Sequence, residues 1–426
     1  MTTLRFSIVA AFLLAGCDTA SRDTSRADAI VIRDSAGITI VENLVSQPPG
    51  VERWFVDTVP TFRIGVESGD PNYEFSDVQG VSRLPNGMIV VLNGQGESAF
   101  EFRFFDENGK HVATHGRRGE GPGEFRWVNF FGGTGGDTIV AVDFPARRIS
   151  WLSARNGFIR SIESDETLLK TMIGERASGL TETMIVLRDS LYAIKSFHPV
   201  GDDPRAGRAN EFHIVDLSSR SGIRLGRLEE PTRTRLQLSS TTTSVYPQGQ
   251  TSPMHVVDRT RQRICAGVGH VAEINCIDAS GKRMSIRWAY DTIPFTADER
   301  RQAEERISIS LSKSPQFTPG DIERYRAAMI WPKAQPPYIV LQMDSDGNIW
   351  VSEQIKGPSG QPTSRFRIFN ADGKLIAFAN HFRVRPLGLM DDMEIGSTSL
   401  LSAISSPDGV PMVGVYRITR SGADRE

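Results

Sequence analysis

The side chains that could perform chemistry are few and lie scattered along the chain. Seven histidines are present, but they form no His-Glu-x-x-His zinc motif and recur at no fixed position. Serine, histidine and aspartate all occur, yet the chain lacks the Gly-x-Ser-x-Gly turn that exposes a nucleophilic serine in many hydrolases. The sequence therefore predicts neither a catalytic residue nor a metal ligand. It leaves open a calcium site formed by Glu, Asn and Asp side chains that converge from different segments.

Two of the three cysteines, Cys265 and Cys276, fall on what we predict to be neighbouring strands of one hairpin. Directly opposed residues of such strands bring their Cβ atoms to about 4.5–5.5 Å, slightly more than a disulfide favours but adjustable. An oxidising compartment would permit a disulfide between them. The alternative is a pair of small, buried, reduced side chains.

A glycine-rich segment, His115–Phe125, carries the charged residues Arg117, Arg118 and Glu120. It lacks the Gly-Lys-Ser/Thr ending of a phosphate-binding loop, and strands rather than a helix follow it. We interpret its glycines as a tight connection between two sheets. The three charged residues are a candidate contact for an acidic partner, with a solvated surface cluster as the alternative.

The best candidate for an exposed aromatic recognition residue is Trp331, which lies in a proline-rich stretch with Pro332 and Pro336. Tryptophan is enriched among residues that dominate binding energy. The alternative is a residue that holds the preceding helical segment against the rest of the protein.

Overall charge and composition exclude one class of function. The chain of 426 residues has 49 Lys+Arg and 51 Asp+Glu, a formal net charge of −2. Nucleic-acid binding through phosphate contacts requires a basic surface, so we predict no nucleic-acid partner. The content of 39 glycines and 23 prolines indicates many turns.

The N-terminus has the pattern of a secretory signal. Arg5 precedes the apolar run Phe6–Leu14, whose helix would span about 14 Å, too short for a hydrocarbon core of roughly 30 Å. Its end, Leu14–Cys17, resembles the lipobox of bacterial lipoproteins. The resemblance implies a signal peptide at 1–16 and lipid attachment at Cys17, followed by a flexible tether over 17–36. It also implies an extracytoplasmic, membrane-anchored protein of the bacterial envelope.

One hairpin pattern recurs six times: an alternating apolar strand, then an Asx or small polar residue, then a turn that contains glycine. The repeated strands end at Asp106, Ser153, Asp216, Asp278, Asn370 and Thr419. A second hairpin precedes most copies, so each unit has four strands. Repeats of this size and pattern are typical of a β-propeller. We predict an all-β, six-bladed propeller over 37–426, with the strand Gly37–Glu42 completing the last blade.

The interval between Asp278 and Asn370 is longer than the others and has helical signals. Thr296 and Glu299 have the spacing of a capping box, and Thr318-Pro319 favours a second helix start. We therefore predict a helical insertion at about 296–330, between the fourth and fifth blades.

The segment from Gly116 to Phe125 resembles the inter-blade signature of NHL-type propellers, and Asp143 followed by Arg148-Ile149 resembles the hairpin of the same repeat. The whole chain is similar to six-bladed propeller lipoproteins of bacteria, which mostly have no assigned activity. The resemblance implies a binding scaffold for a protein, peptide or glycan. One alternative is a metal-dependent, lactonase-like hydrolase or a lyase with its site in the central channel, and another is a structural part of an envelope complex without a small ligand.

Overall fold

The computed structural model describes residues 29–94, 100–143, 145–163, 183–188, 190–199, 208–216, 218–230, 234–248, 252–357, 362–380, 382 and 393–421. Over these ranges the chain consists mostly of β-strands, with two helices. The strands form antiparallel sheets in a propeller-like arrangement. The all-β class predicted from the sequence is therefore confirmed.

The strands are numbered along the chain. The N-terminal strands are β1 (Ile30–Ser35), β2 (Ile38–Asn43), β3 (Glu52–Val56) and β4 (Phe62–Ile64). They are followed by β5 (Val78–Arg83), β6 (Ile89–Asn93), β7 (Glu101–Phe105), β8 (His111–His115), β9 (Arg117–Arg118), β10 (Glu124–Phe125), β11 (Val128–Gly135), β12 (Thr138–Asp143), β13 (Arg148–Ser153) and β14 (Gly157–Glu163). The central part contains β15 (Thr183–Arg188), β16 (Leu191–Pro199), β17 (Arg208–Asp216), β18 (Ser221–Glu229), β19 (Thr234–Gln237), β20 (Thr242–Val245), β21 (Met254–Asp258), β22 (Arg263–Gly267), β23 (Glu273–Asp278) and β24 (Arg283–Trp288).

The C-terminal part begins with the two helices. These are α1 (Ala297–Ser312) and α2 (Pro319–Ala327). The remaining strands are β25 (Val340–Met343), β26 (Ile349–Lys356), β27 (Pro362–Phe369), β28 (Leu375–Asn380), β29 (Met393–Ile395), β30 (Ser399–Ser405) and β31 (Pro411–Ser421).

The sheets are built from consecutive antiparallel strands. β5–β8, β11–β14 and β15–β18 each form a separate four-stranded sheet. β21–β24 pair in the same way, and the hairpin β1–β2 extends their outer edge to six strands. The nine-stranded sheet contains β25–β28 and then, through β3, the strands β31, β30 and β29, with β4 also paired to β31. The first strand of each unit faces the centre of the arrangement, and we call it the inner strand. The third strand of each unit carries the hairpin pattern that recurs in the sequence.

The core lies between neighbouring units. Between the units β5–β8 and β11–β14, Phe102, Phe104, Phe125 and Leu152 are all fully buried and belong to one apolar cluster. The rings of Phe102 and Phe125 meet edge to face with their centroids 5.3 Å apart, a favourable aromatic geometry. The alternation of side chains along the strands thus places apolar residues at the contacts between neighbouring units, and we call each such contact a seam.

The glycine-rich segment is a connection between units, because β9 and β10 pair within it and Phe125 anchors its end in the core. Gly121 N–H donates to Glu124 Oε2 at 2.8 Å. A Cβ on Gly119, which has a φ of 155°, would lie only 2.1 Å from the same carboxylate oxygen. The turn therefore needs a glycine at that position.

The predicted role of the strand Gly37–Glu42 is wrong. β2 (Ile38–Asn43) pairs in parallel with β24, Ile38 opposite Arg283, and not with the last unit. It is β3 that pairs with β31, Val56 opposite Ile418. Trp54 and Val56 are each 2% exposed, so the apolar face of β3 belongs to the seam of the last unit. β1 also lies inside the segment predicted to be a tether, which means that strand structure begins before residue 37.

The chain between β2 and β3 is fixed by Asn43, which is 2% exposed. Asn43 Nδ2 donates to the carbonyl oxygens of Arg287 and Gly373, each at 3.1 Å. Its Oδ1 accepts from the Leu375 N–H at 2.8 Å. This one side chain joins the N-terminal segment to both β24 and the turn before β28, which directs the chain towards the last unit.

The two helices lie in the chain between β24 and β25, and each begins with a capping box, Thr296 with Glu299 and Thr318 with Asp321. α2 packs against the β19–β20 hairpin: the Ser239 N–H donates to Asp321 Oδ1 at 2.9 Å. We call the two helices and this hairpin the cap; they lie in the chain segments that precede β21 and β25. Among the described helices, none has both the length and the apolar composition needed to cross a membrane.

Candidate functional site

The inner strands surround one cavity of about 900 Å³. β5, β11, β15, β21, β25 and β29 all contribute to its wall, and we call it the central cavity. Its charged lining residues include Arg83, Arg160, Asp258, Arg259, Asp344 and Glu394. Arg83 and Asp258 end their inner strands, and Arg259 and Asp344 directly follow theirs. Cavities of this size accept small molecules or single residues of larger ones.

Arg259 reaches across the central cavity. It follows β21, yet its Nη1 donates to the Gly133 carbonyl oxygen of β11 at 2.7 Å. Its guanidinium also lies 5.2 Å from the centre of the Phe130 ring. A Cβ on Gly132 would lie 2.1 Å from Arg259 Nη2, so glycine is needed there for the guanidinium to approach the strand. The backbone thus orients a positive charge within the cavity.

Arg160 occupies a similar position on a second aromatic ring. Its guanidinium carbon lies 3.7 Å from the centre of the Trp151 ring, and both residues line the central cavity. Stacking uses the face of a guanidinium and leaves its N–H edges able to donate. Among the residues that the structure describes, no carboxylate pairs with Arg160.

Glu394 connects the last unit to the first one. Its Oε2 accepts from the Arg83 N–H at 2.8 Å. Burial raises the pKa of the Glu394 carboxyl, while the hydrogen bonds from Arg83 and Ser82 and the charges of Arg259 and Arg83 oppose that rise. A carboxyl group with a raised pKa in a cavity is a candidate proton donor or acceptor.

The other two acidic residues of the cavity are occupied by protein donors. Asp258 accepts from the Arg261 N–H at 2.9 Å and from Arg261 Nη1 at 3.0 Å, and Arg263 Nη2 lies 3.4 Å away. Both oxygens of Asp344 also accept hydrogen bonds, from Asn348 and from Trp350 Nε1 among others. Their oxygens therefore serve turn structure and offer little to a ligand.

His255 also lines the cavity, against the ring of Phe212 with centroids 5.4 Å apart. Burial, together with the charge of Lys195, lowers the pKa of His255 to about 3. The imidazole is therefore neutral at physiological pH, where one ring nitrogen can donate a hydrogen bond and the other can accept one, but the ring carries no charge.

The charged residues predicted from the glycine-rich segment lie away from this cavity, in the connection that precedes β11. Arg117 Nε donates to Glu124 Oε1 at 2.7 Å, and Glu120 pairs with Arg126. Arg118 is exposed. The pairs within the loop fit the solvated cluster as well as they fit a partner surface, so a partner contact remains a prediction.

Trp331 is half-buried. Its ring meets that of Phe295 edge to face, with centroids 5.6 Å apart, and the Arg300 guanidinium of α1 lies 5.6 Å from its centre. These contacts favour the alternative interpretation, in which Trp331 holds the helices in place.

The three cysteines carry two predictions, lipid attachment and a disulfide. Cys17, predicted to carry lipid, lies outside the described residues. Cys265 and Cys276 are directly opposed on β22 and β23, buried, with their Sγ atoms 2.05 Å apart. That arrangement is the geometry of a disulfide.

A metal site is not evident in the described part of the chain, where no group of three or more His, Cys, Asp or Glu side chains is placed to hold an ion. The calcium site that the sequence left open remains untested.

Sequence patterns did not single out the residues of the central cavity. Arginine is abundant in the chain, and nothing in its spacing distinguishes Arg160 or Arg259 from a surface arginine. One local signal was available: Gly132-Gly133 interrupts the β-branched and aromatic residues of β11, and glycine inside a strand often marks the close approach of another group.

The fold and the cavity define an all-β, propeller-like protein with a polar central cavity. No protein-family model matches the chain, and no curated protein is detectably similar to it. Among solved structures, a DUF4221 family member from Bacteroides vulgatus has a TM-score of 0.49 at 12% identity, over 86% of this chain and 99% of that one. A protein of unknown function from Bacteroides thetaiotaomicron has a TM-score of 0.36 at 11% identity, over 86% of this chain and 76% of that one. A gluconolactonase from Xanthomonas campestris has a TM-score of 0.33 at 11% identity, over 88% and 99%. All three TM-scores are below 0.5, so these likenesses carry no argument about function.

Proposed function

We propose that this chain is a binding scaffold of the bacterial envelope that receives its ligand in the central cavity. The convergence of six inner strands on one cavity of about 900 Å³ supports the proposal. The sequence favours a protein, peptide or glycan as the class of partner. The cavity favours a small ligand, or one residue of such a partner, because a volume of about 900 Å³ is typical of sites for small molecules.

A cavity-filling substitution tests this function. Thr260 lines the cavity and is exposed, so Thr260→Trp should occupy the space without removing a buried contact. A ligand that binds only the folded state raises the melting temperature. In a thermal-shift screen of small molecules, hits should stabilise the native chain and the control Thr58→Trp, which is exposed and does not line the cavity, but not Thr260→Trp. Hits that stabilise all three proteins equally, or a screen without hits, would overturn binding in the cavity.

Glu394 supports a second candidate, an enzyme that uses its carboxyl as a general acid or base. The group is half-buried at the cavity, its pKa is raised by burial, and two arginines are near enough to stabilise negative charge. The class that the sequence suggests is a lyase or a lactonase-like, metal-dependent hydrolase. Turnover of a lactone and ester panel that is abolished by Glu394→Gln supports it. A melting temperature that falls with EDTA and recovers when calcium or zinc is added would show that this enzyme also binds a metal ion.

We also infer that the units form a ring of six blades. The nine-stranded sheet supports this inference, because its strands divide into β25–β28 and a second group, β29–β31 with β3, joined by the parallel pairing of β28 with β3. With the four other units, this makes six. The last blade would then take its outer strand from the N-terminus, which leaves it no open edge.

The anchor at Cys17 is part of the same proposal. Two or more acyl chains would hold the protein stably at a membrane, and the residues up to β1 would act as the tether. Mass spectrometry of the N-terminal peptide from membrane-purified protein tests it. An acylated Cys17 that is lost in Cys17→Ser, together with release of the protein from the membrane fraction, is the expected result. Unmodified Cys17 in the native protein would overturn the anchor.

A further inference from the structure

A second cavity is formed where the segment after β24 meets the end of β26, and we call it the side cavity. Its volume is about 510 Å³, and its lining residues are different from those of the central cavity. The connection from β2 to β3 supplies a third part of its wall. The lining residues are Gln47, Tyr290, Asp291, Thr292, Ile355 and Lys356.

Two polar side chains of the side cavity are linked to a buried ion cluster. Glu353 accepts from Arg365 Nε at 2.6 Å and from Arg367 Nε at 2.8 Å, and all three side chains are buried. Arg365 Nη1 donates to Gln47 Oε1 at 3.5 Å, and Gln47 Nε2 in turn donates to Asp291 Oδ2 at 3.4 Å. These hydrogen bonds orient Gln47 and Asp291 before a ligand arrives, which reduces the entropy that binding costs.

The ion cluster is an inefficient way to stabilise the fold. Arg367 Nη1 is buried and has no hydrogen-bond partner in the described part of the chain, and a buried donor without a partner costs free energy. Buried ion pairs often give no more stability than apolar side chains of similar volume. Support for the wall of a binding site accounts for the cluster better than stability does.

The lining of the side cavity suits a sugar ring. Tyr290 is 38% exposed, and an exposed aromatic ring packs well against the C–H groups on one face of a pyranose. Asp291 and Gln47 place a carboxylate beside an amide, and neighbouring sugar hydroxyls, which both donate and accept, can bond to both groups. The side chains of Thr292 and Lys356 form no hydrogen bond or ion pair with the described residues, so they are available as further partners.

The charges around the side cavity disfavour ionic ligands. Among the described residues, Asp291 is the only anion and Lys356 the only cation of the lining. An ammonium group at Asp291 would also lie near Arg365, which bonds to the same Gln47 side chain, and a phosphate would be repelled by the Asp291 carboxylate. An uncharged ligand avoids both costs.

We propose that the side cavity binds a neutral pyranose sugar, with the ring against Tyr290 and neighbouring hydroxyls bonded to Asp291 and Gln47. This site is separate from the central cavity, so the proposal goes beyond the binding function assigned there and does not depend on it.

Matched probes test the class of ligand. Methyl glycosides of glucose, galactose and N-acetylglucosamine present a pyranose ring, whereas sorbitol carries its hydroxyls on an open chain. Saturation-transfer NMR on the full-length chain, in a detergent without sugar, should show binding of at least one glycoside through its ring C–H protons and no binding of sorbitol. Free lysine and inorganic phosphate are the charged competitors and should not displace the glycoside at equal concentration. Lactose and chitobiose distinguish the two sources of the sugar, because tighter binding of a disaccharide identifies a glycan rather than a free monosaccharide.

Variants locate the binding, with affinities measured by calorimetric titration. Tyr290→Ala and Thr292→Trp change exposed residues and should each weaken glycoside affinity by about tenfold or more, the first by removing an aromatic contact and the second by filling the cavity. Tyr290→Phe keeps the ring and should bind more tightly than Tyr290→Ala. Phe55→Ala removes an exposed ring elsewhere and Thr260→Trp fills the central cavity, so both should bind as the native chain does. Circular dichroism spectra that match the native chain show that each variant is folded.

The outcomes separate the two cavities. The proposal is overturned if no glycoside binds, if sorbitol binds as strongly as the glycosides, or if both Tyr290→Ala and Thr292→Trp bind with native affinity. Displacement by free lysine or phosphate would assign the side cavity to an ionic ligand instead. A glycoside whose binding is lost in Thr260→Trp but kept in Thr292→Trp belongs to the central cavity, which overturns the side site and supports the binding function.

Discussion

At the scale of single residues, Asp321 shows how one carboxylate can fix two elements. It is fully buried and accepts from the Ser239 N–H of the β19–β20 hairpin at 2.9 Å and from Thr318 Oγ1 at 2.7 Å. The Ser239 side chain also donates to Asp321. This hydrogen bond, followed by those from the Ser239 N–H and from Thr318, holds the pKa of Asp321 well below its ordinary value of 3.8. The ionised carboxylate is thus favoured in the folded state, and the cap depends on it.

We predict that acid weakens the protein partly through Asp321. Because its pKa is lower in the folded state, the unfolded chain binds the proton first as the pH falls, and the contribution of Asp321 is lost progressively from about pH 4 down towards its folded-state pKa. Asp321→Asn should lower the free energy of unfolding at pH 7 and flatten its decrease between about pH 5 and pH 2. Urea denaturation at several pH values measures both effects. Asp298→Asn changes an exposed side chain of α1 and should leave the dependence of the unfolding free energy on pH as it is in the native chain. The same pH dependence in the native chain and in Asp321→Asn would contradict the prediction.

The site residues show why a sequence alone could not define the cavity. Arg160 and Arg259 belong to different units and meet the cavity only because the inner strands converge. Residue spacing reports neighbours along a strand, whereas these contacts depend on how separate sheets are packed. Gly132-Gly133 was a visible irregularity, but nothing in the sequence indicates which group approaches it.

At the scale of elements, the alternating strands were predictable and their pairing was less so. The predicted hairpin with its turn at Pro85–Gly87 corresponds to β5 and β6, and the one with its turn at Glu107–Lys110 corresponds to β7 and β8, because two-residue periodicity and an Asx-Gly turn define a hairpin locally. The N-terminal strands have no turn that fixes their partner. Both Gly37–Glu42 and Glu52–Val56 alternate well enough to pair with β31, and long-range packing of Trp54 and Val56 decides between them.

β3 offers a matched test of that packing. Val56 is 2% exposed and Phe55 is 53% exposed, so adjacent residues point to opposite faces of one strand. Val56→Asp should lower the free energy of unfolding by about 3 kcal/mol or more, because an unpaired carboxylate enters an apolar seam. Phe55→Asp should change it by about 0.5 kcal/mol or less. Chemical denaturation of the two variants provides the comparison, and similar losses in both would show that β3 does not pack as described.

The hairpin β22–β23 carries the prediction about the cysteines. If Cys265 and Cys276 are bonded, native protein should resist thiol alkylation until it is both denatured and reduced. The double variant Cys265→Ser, Cys276→Ser should then lose about 2–3 kcal/mol, the value expected for a short closed loop. Mass spectrometry after alkylation measures the first effect and urea unfolding the second. Native protein that becomes alkylated on denaturation without reductant would contain two free thiols instead.

At the scale of the whole molecule, the N-terminal segment joins three parts of the arrangement. β2 extends the sheet of β21–β24, Asn43 links it to the turn before β28, and β3 lies between β28 and β31. Repeat periodicity could predict a series of four-stranded units along the chain, since each repeats a local pattern. It could not predict this path, because the path depends on contacts between residues more than two hundred positions apart.

A truncation series tests how the arrangement is closed. A chain that starts at residue 29 keeps all the described contacts and should unfold as the native chain does. A start at residue 51 removes β1, β2 and Asn43 and should cost stability while unfolding stays cooperative. A start at residue 59 also removes β3, which exposes the apolar seam around Ile418 and leaves β31 without its outer partner. We expect the largest loss of stability, and faster proteolysis of β29–β31, at this last step, because an open edge admits water to the seam. If the loss came mainly at residue 51 instead, the β1–β2 hairpin and Asn43 would be the elements that close the molecule.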